Sequence, residues 1–146
     1  MEISNYEGRL TRLMDNLPGM AYVCQNDPEW TMVFVSSGCE ALTGYTRDEI
    51  QDNAVVSYAD LIHPDDRKMV WDVVQAGVLK NDHFQLTYRI ITKSKEEKWV
   101  WERGCPVLRE DGTLIALEGF ICDVSAQVRA EQSLRITLER LDAALD

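Results

Sequence analysis

Phe84-Gln85-Leu86-Thr87-Tyr88-Arg89-Ile90 alternates apolar and polar side chains without a break. Successive side chains of a strand point to opposite faces, so this period of two describes a half-buried antiparallel strand. Downstream, Lys93-Ser94-Lys95-Glu96-Glu97 is a polar turn. Trp99, Trp101, Arg103 and Cys105 then alternate with Val100, Glu102 and Gly104 in a second strand that carries on to Leu108. Glu110-Asp111-Gly112 is another turn signal, and Leu114 to Asp123 is the last strand. Three strands in a meander therefore close the globular part.

Upstream, His63-Pro64-Asp65-Asp66-Arg67 marks a helix start. Proline suits the first turn, where its missing N–H has no partner. Asp65 and Asp66 suit the positive end of the helix dipole. Met69, Val70, Val73, Val74 and Val78 trace one face of a helix ending between Gly77 and Asn81. His63 reads as the residue that opens this helix. Metal ligation or general-base chemistry is the alternative, but no second His or Cys stands at ligand spacing.

Before this helix, Thr46 and Glu49 have capping-box spacing. Ser36 or Ser37 can cap a turn through Cys39, Ala41 and Leu42 that stops at Gly44. Residues 53–59 are less regular. Residues 20–24 and about 31–35 read as two short strands joined by the hairpin-sized Asp27-Pro28-Glu29. Ile3, Tyr6, Leu10, Leu13, Met14 and Leu17 describe an amphipathic helix over 3–17 that Pro18-Gly19 ends. At the other end, 124–146 has no helix breaker. Glu131, Leu134, Leu138, Leu141 and Leu145 fall on alternating steps of three and four, which suits a two-stranded coiled-coil seam. The alternative is an amphipathic helix folded back on its own domain.

Composition bounds the function. The 146 residues are 45% hydrophobic and 27% charged, enough for one core and unlike a disordered chain. Fifteen basic residues against twenty-five acidic ones give a net charge of −10, which argues against binding a nucleic-acid backbone. Apolar runs are only a few residues long, so no membrane span and no secretory signal is expected within the segment. Cys24, Cys39, Cys105 and Cys122 contain no CxxC pair and read as buried, reduced thiols of a cytosolic protein. Cys24 or Cys122 with His63 or His83 are the available thiol–imidazole pairs, and nothing in the spacing brings them together. There is no phosphate loop. No catalytic residue and no metal ligand is assigned, and the segment is not read as an enzyme.

In their order, these pieces resemble a PAS domain with its PAC motif. The resemblance runs from about residue 13 to 128. It rests on Leu17-Pro18-Gly19-Met20-Ala21-Tyr22, Phe34-Val35-Ser36, Ala41-Leu42-Thr43-Gly44-Tyr45, Ile62-His63-Pro64-Asp65-Asp66-Arg67, Tyr88-Arg89-Ile90, Trp99-Val100-Trp101-Glu102, Gly112, and Gly119-Phe120-Ile121-Cys122-Asp123-Val124-Ser125. It implies an α+β fold: a five-stranded antiparallel sheet of order 2-1-5-4-3 with helices on one face and flanking helices at both ends. The corresponding division is an N-terminal flanking helix over 1–17, a core over 18–123 and a C-terminal signalling helix over 124–146.

The resemblance implies sensing or signal relay in the cytoplasm, within a multidomain bacterial regulator of the histidine kinase or diguanylate cyclase type. It implies a homodimer through the flanking helices, an adjacent PAS or output domain in the same chain, and a small-molecule ligand between sheet and helices. A ligand-free protein-interaction domain and a haem-bearing gas or redox sensor, through His63 or His83, are the alternatives. The asparagine–cysteine–arginine motif of flavin-binding light sensors is missing around Cys39, so no flavin photoadduct is expected, and the sequence requires no cofactor. Residues 10–17 and 138–145 match at Leu10/Leu138, Arg12/Arg140, Leu13/Leu141 and Leu17/Leu145, which suggests one bead of a tandem array.

Site residues follow from the same reading. Phe34, Leu42, Val70, Val74, Tyr88 and Ile121 are expected to line a pocket, with Tyr22, Tyr45 and Trp101 supplying polar tips. Plain core packing is the alternative. Asp123 and Ser125 stand where the last strand becomes the exit helix. A side-chain oxygen there can accept from a free helix N–H and tie sheet movement to the helix.

Overall fold

The computed structural model describes residues 9, 12, 13, 15, 16 and 18–145. The described residues before Pro18 are helical. Most of the helix expected over 3–17, and half of the first octet of the internal match, lie outside the described residues. Strand β1 (Met20–Cys24) and strand β2 (Met32–Val35) come first. Three short helices follow: α1 (Cys39–Thr43), α2 (Arg47–Ile50) and α3 (Tyr58–Leu61). A 3-10 turn over Pro64–Asp66 leads into α4 (Arg67–Lys80). Strands β3 (Phe84–Ile91), β4 (Glu97–Leu108) and β5 (Leu114–Asp123) and helix α5 (Ser125–Leu145) complete the chain.

The sheet has five strands in the order β2-β1-β5-β4-β3, and every pairing is antiparallel. β3 pairs with β4 over eight residues, from Phe84 opposite Gly104 to Ile91 opposite Glu97. Its burial alternates as its sequence does: Phe84, Leu86, Tyr88 and Ile90 are buried. The helices cover one face. Val70 and Val74 of α4 pack into the core, and Met69, expected on the same stripe, is exposed.

Local signals explain most helix ends. Thr46 and Glu49 form the reciprocal capping box, and Gly44 closes α1 in the left-handed region at φ 83°. Neither serine caps α1. Ser36 is buried, and its hydroxyl accepts from the Ala21 N–H at 2.9 Å, while the helix starts at Gly38 without a side-chain cap. α3 was not foreseen within 53–59; its cap is Ser57, which accepts from the Asp60 N–H. Asp66 stands at the cap of α4 without a side-chain bond to it and instead holds Arg89, through the Arg89 backbone N–H and two guanidinium bonds of 2.9 and 2.7 Å. Beyond its first turn, α5 stands clear of the sheet. Every side chain from Arg129 to Leu145 is exposed, so the helix does not fold back on its own domain.

Candidate functional site

β4 turns Val100, Glu102 and Gly104 toward the helices. Glu102 is the one acidic or basic side chain buried among the described residues, at 7% exposure. A buried charge needs partners, and tyrosines provide them. Tyr22 donates to Oε2 of Glu102, and Tyr88 donates to Oε1 at 2.6 Å. The Tyr58 and Tyr88 hydroxyls lie 2.7 Å apart. Because the Tyr88 proton goes to Glu102, Tyr58 is the donor of that third bond.

A pair of glycines makes room for this arrangement. Tyr22 stands opposite Gly119, and Gly119 opposite Gly104, in one row across β1, β5 and β4. A Cβ at Gly104 would lie 2.6 Å from the Tyr22 hydroxyl, and one at Gly119 2.7 Å from it. Only bare backbone lets the phenol cross the sheet to Glu102.

Burial and the Glu102 charge push all three phenols well above their ordinary range, so they remain protonated. Burial pushes Glu102 up, and its two tyrosine bonds work against that shift. Burial likewise raises Cys24 and Cys39. All four cysteines are free thiols; Cys105 and Cys122 are half-buried rather than buried.

Beside this network is a cavity of about 10 Å³, room for about one water molecule. Tyr22, Tyr58, Glu102, Cys24, Trp30 and Val74 are among its walls. The connection between β1 and β2 contributes Trp30 to its walls. Asp27 fastens the connection by accepting from the Thr31 N–H and hydroxyl at 3.0 and 2.8 Å. Asn26 and Gln75 of α4 exchange two amide bonds. Trp30 sits at φ 51°, a rare conformation for a bulky side chain, with its ring 5.2 Å from that of Trp71 on α4.

A second cluster lies where the sheet ends. The Trp99 N–H donates to Ser125 Oγ at 2.9 Å, and the Val124 N–H donates to the Trp99 carbonyl. Asp123 accepts from the Ser125 N–H at 2.8 Å and faces Lys98 Nζ at 3.9 Å. Lys98 in turn donates to the Ala41 and Leu42 carbonyls at the end of α1. The Arg89 guanidinium lies 5.4 Å over the Trp99 ring. Asp66, Arg89, Trp99 and Ser125 thus run in contact from the start of α4 to the start of α5.

Of the expected pocket residues, Tyr22, Val70 and Val74 line the cavity, and Tyr88 joins the network one bond away. Leu42 and Ile121 are buried elsewhere in the core, with Tyr45 partly buried against it. Phe34 and Trp101 are not in this lining. They lie with Phe120 on the other face of the sheet, because Trp101 has the opposite strand parity to Glu102. His63 accepts from the Asp65 N–H at the helix start, and neither His63 nor His83 lines the cavity. Glu102, Tyr58 and Trp30 were missed. The alternation of β4 carried the signal for Glu102, but the two tryptophans draw the apolar assignment to the wrong row.

A family model described as the PAS fold matches residues 32–121. A methyl sulfide methyltransferase-associated sensor from Methanosarcina acetivorans is 33% identical over 150 residues, covering 96% of this chain; the chain spans 14% of that relative's length. The solved structure of a sensory box histidine kinase/response regulator from Burkholderia thailandensis is 27% identical, with a TM-score of 0.68 over 85% of this chain and 91% of that one. The N-terminal domain of a diguanylate cyclase with PAS/PAC sensor from Marinobacter aquaeolei shares the fold at 19% identity, with a TM-score of 0.61 over 75% of this chain and 97% of that one.

Proposed function

The chain belongs to the PAS-fold family, and from that membership we propose that it is a sensory and signal-relay module of a larger cytoplasmic signalling protein of the histidine kinase or diguanylate cyclase type. Its core over 18–123 takes a small molecule between sheet and α4. Its helix over 124–146 passes the resulting change to a neighbouring PAS or output domain and pairs with the same helix of a second copy. Catalysis belongs to other parts of the parent protein. The observation that carries this reading is the clamp of Trp99, Ser125, Asp123 and Lys98 at the root of α5. Exposed Leu134, Leu138, Leu141 and Leu145 on that helix support the pairing. No described helix is long and apolar enough to cross a membrane.

A second reading, a ligand-free dimerisation and relay domain, draws on the size of the cavity, which admits about one water-sized group. Native beside denaturing mass spectrometry separates the two. Excess mass on the native protein supports the first reading, and the bare mass of the chain or its dimer supports the second. In the parent protein, Asp123→Ala is expected to leave folding intact and uncouple output from input. Unchanged output in that variant overturns the relay.

A further inference from the structure

The protons around Glu102 can be counted. Tyr22 and Tyr88 spend theirs on the carboxylate, and Tyr58 spends its proton on Tyr88. A phenol has one proton to donate, while a carboxylate has about four acceptor sites. The polar atoms that remain to face the cavity are therefore lone pairs of Glu102, Tyr22 and Tyr58. The Cys24 thiol, kept protonated by burial, and the Trp30 indole N–H are the donors among the lining side chains, and neither carries charge. Among the described residues, no lysine, arginine or histidine pairs with Glu102. An anion would find no opposite charge in the lining, beside a carboxylate that repels it.

The occupant must bring donors, and a positive charge would balance the buried carboxylate. The remaining walls suit the same chemistry. Tyr22, Tyr58 and Trp30 bring aromatic rings to the cavity, and ring faces attract ammonium groups most strongly when water is excluded. The available space of about 10 Å³ limits the buried head to a single heavy atom. Trp30 is one of the walls that a carbon attached to it would meet.

We propose that the cavity beside Glu102 binds a small N–H-bearing cation, ammonium or a short primary alkylammonium, with its nitrogen against Glu102 and the Tyr22 and Tyr58 oxygens. This rests on the reading of the core as a small-molecule sensor and names the chemical class it detects. An alkyl group on the nitrogen pushes on Trp30, and through Trp71 and the Asn26–Gln75 bonds it reaches α4.

The test is thermal unfolding of the chain with ammonium chloride or methylammonium chloride against potassium chloride and tetramethylammonium chloride at equal ionic strength, with amide NMR spectra of the same samples. A ligand that binds only the folded state raises its midpoint. The expected result is a saturable rise with ammonium and methylammonium, absent with the two controls, and NMR shifts centred on Glu102 and Trp30. Glu102→Gln is expected to weaken apparent affinity by at least about tenfold, roughly 1.4 kcal/mol. An equal rise with potassium overturns the N–H class, and so does an undiminished rise in Glu102→Gln. If Glu102→Gln does not fold, the wild-type comparison of the four salts still decides. No response to either ammonium salt, with a larger molecule found by native mass spectrometry, removes the cation and leaves the sensor standing. No response and no bound mass removes both.

Discussion

Tyr22 on β1 and Glu102 on β4 are 80 residues apart in the chain and joined by a buried hydrogen bond that crosses β5. The bond exists because Gly119, on the strand between them, has no side chain to block it. A carboxylate held in this way makes the helix-facing side of the sheet polar at one point, beside a cavity of water size.

Glu102 gives stability a particular pH dependence. Burial raises its pKa above the ordinary glutamate value of the unfolded chain. Between those two values the folded state binds more protons than the unfolded state, so stability falls as pH rises through that window. Below the unfolded value both states are protonated and the group contributes nothing to the slope. Urea unfolding of Glu102→Gln at a series of pH values rising from the unfolded glutamate value, about 4.3, is expected to lack this decline. A variant with the wild-type slope would assign the decline to another group.

Removing one phenol tests the network without removing the charge. Tyr88→Phe leaves Glu102 with one fewer donor and leaves the Tyr58 proton without its acceptor. The expected cost is about 1–3 kcal/mol, because a buried polar group loses its partner. Equilibrium denaturation at neutral pH measures it. The loss is expected to shrink in a Glu102→Gln background, since the two residues are in direct contact and their effects are not additive.

Gly104→Ala tests the passage for Tyr22. The added methyl meets the Tyr22 hydroxyl at 2.6 Å and the Phe84 ring at 2.6 Å, too close for ordinary contact. Overpacking of this kind costs about 1–3 kcal/mol. A combined Gly104→Ala, Tyr22→Phe chain removes one of the clashing atoms and is expected to regain part of the loss. Denaturation of the single and double variants provides the comparison.

The sheet was legible because its alternation is local: Phe84, Leu86, Tyr88 and Ile90 announce their burial in sequence. The capping box at Thr46 and Glu49 and the stop at Gly44 were legible for the same reason. The candidate site was only half legible. Tyr22, Val70, Val74 and Tyr88 are apolar enough to be placed inside by pattern. Glu102 has a charge that pattern assigns to the surface, and its place inside depends on tyrosines 14 and 80 residues away. Ser36 followed the same rule of distant partners, giving its hydroxyl to the neighbouring strand rather than to its own helix. Trp30 depends on a left-handed turn that no glycine advertises.

Asp66 and Arg89 predict the acid side. The Arg89 side chain, bonded to Asp66 at 2.7 and 2.9 Å, holds the Asp66 carboxyl below its ordinary range despite partial burial. Its stabilising contribution is present above the unfolded aspartate value and is lost as pH falls through the lower folded value. Asp66→Asn is expected to destabilise the chain at neutral pH and to flatten its loss of stability in acid. Thermal unfolding of both proteins across that range shows the sign. The same variant, assayed in the parent protein, is expected to weaken coupling to output, because Arg89 then loses the partner that orients it over Trp99.

The exit helix gives the last prediction. Leu134, Leu138 and Leu141 are between half and two-thirds exposed, and Leu145 is more exposed still. Their steps of four, three and four keep them on one side of a 21-residue helix. Apolar side chains at that spacing are buried when two such helices wind together. Two copies are therefore expected to associate along α5, with their PAS cores at the N-terminal end of the coil. Leu138→Lys places a charge in the middle of the seam and is expected to weaken the dimer by at least about tenfold, read by sedimentation velocity over a range of concentrations. Because Leu138 touches no part of the core, the unfolding free energy of the monomeric domain is expected to stay within about 0.5 kcal/mol of the wild type. A wild-type chain that sediments as a monomer at all concentrations would remove the coil and leave the Trp99–Ser125 clamp as the relay's remaining element. A Leu138→Lys chain that still dimerises would move the interface to the sheet face around Phe34, Trp101 and Phe120.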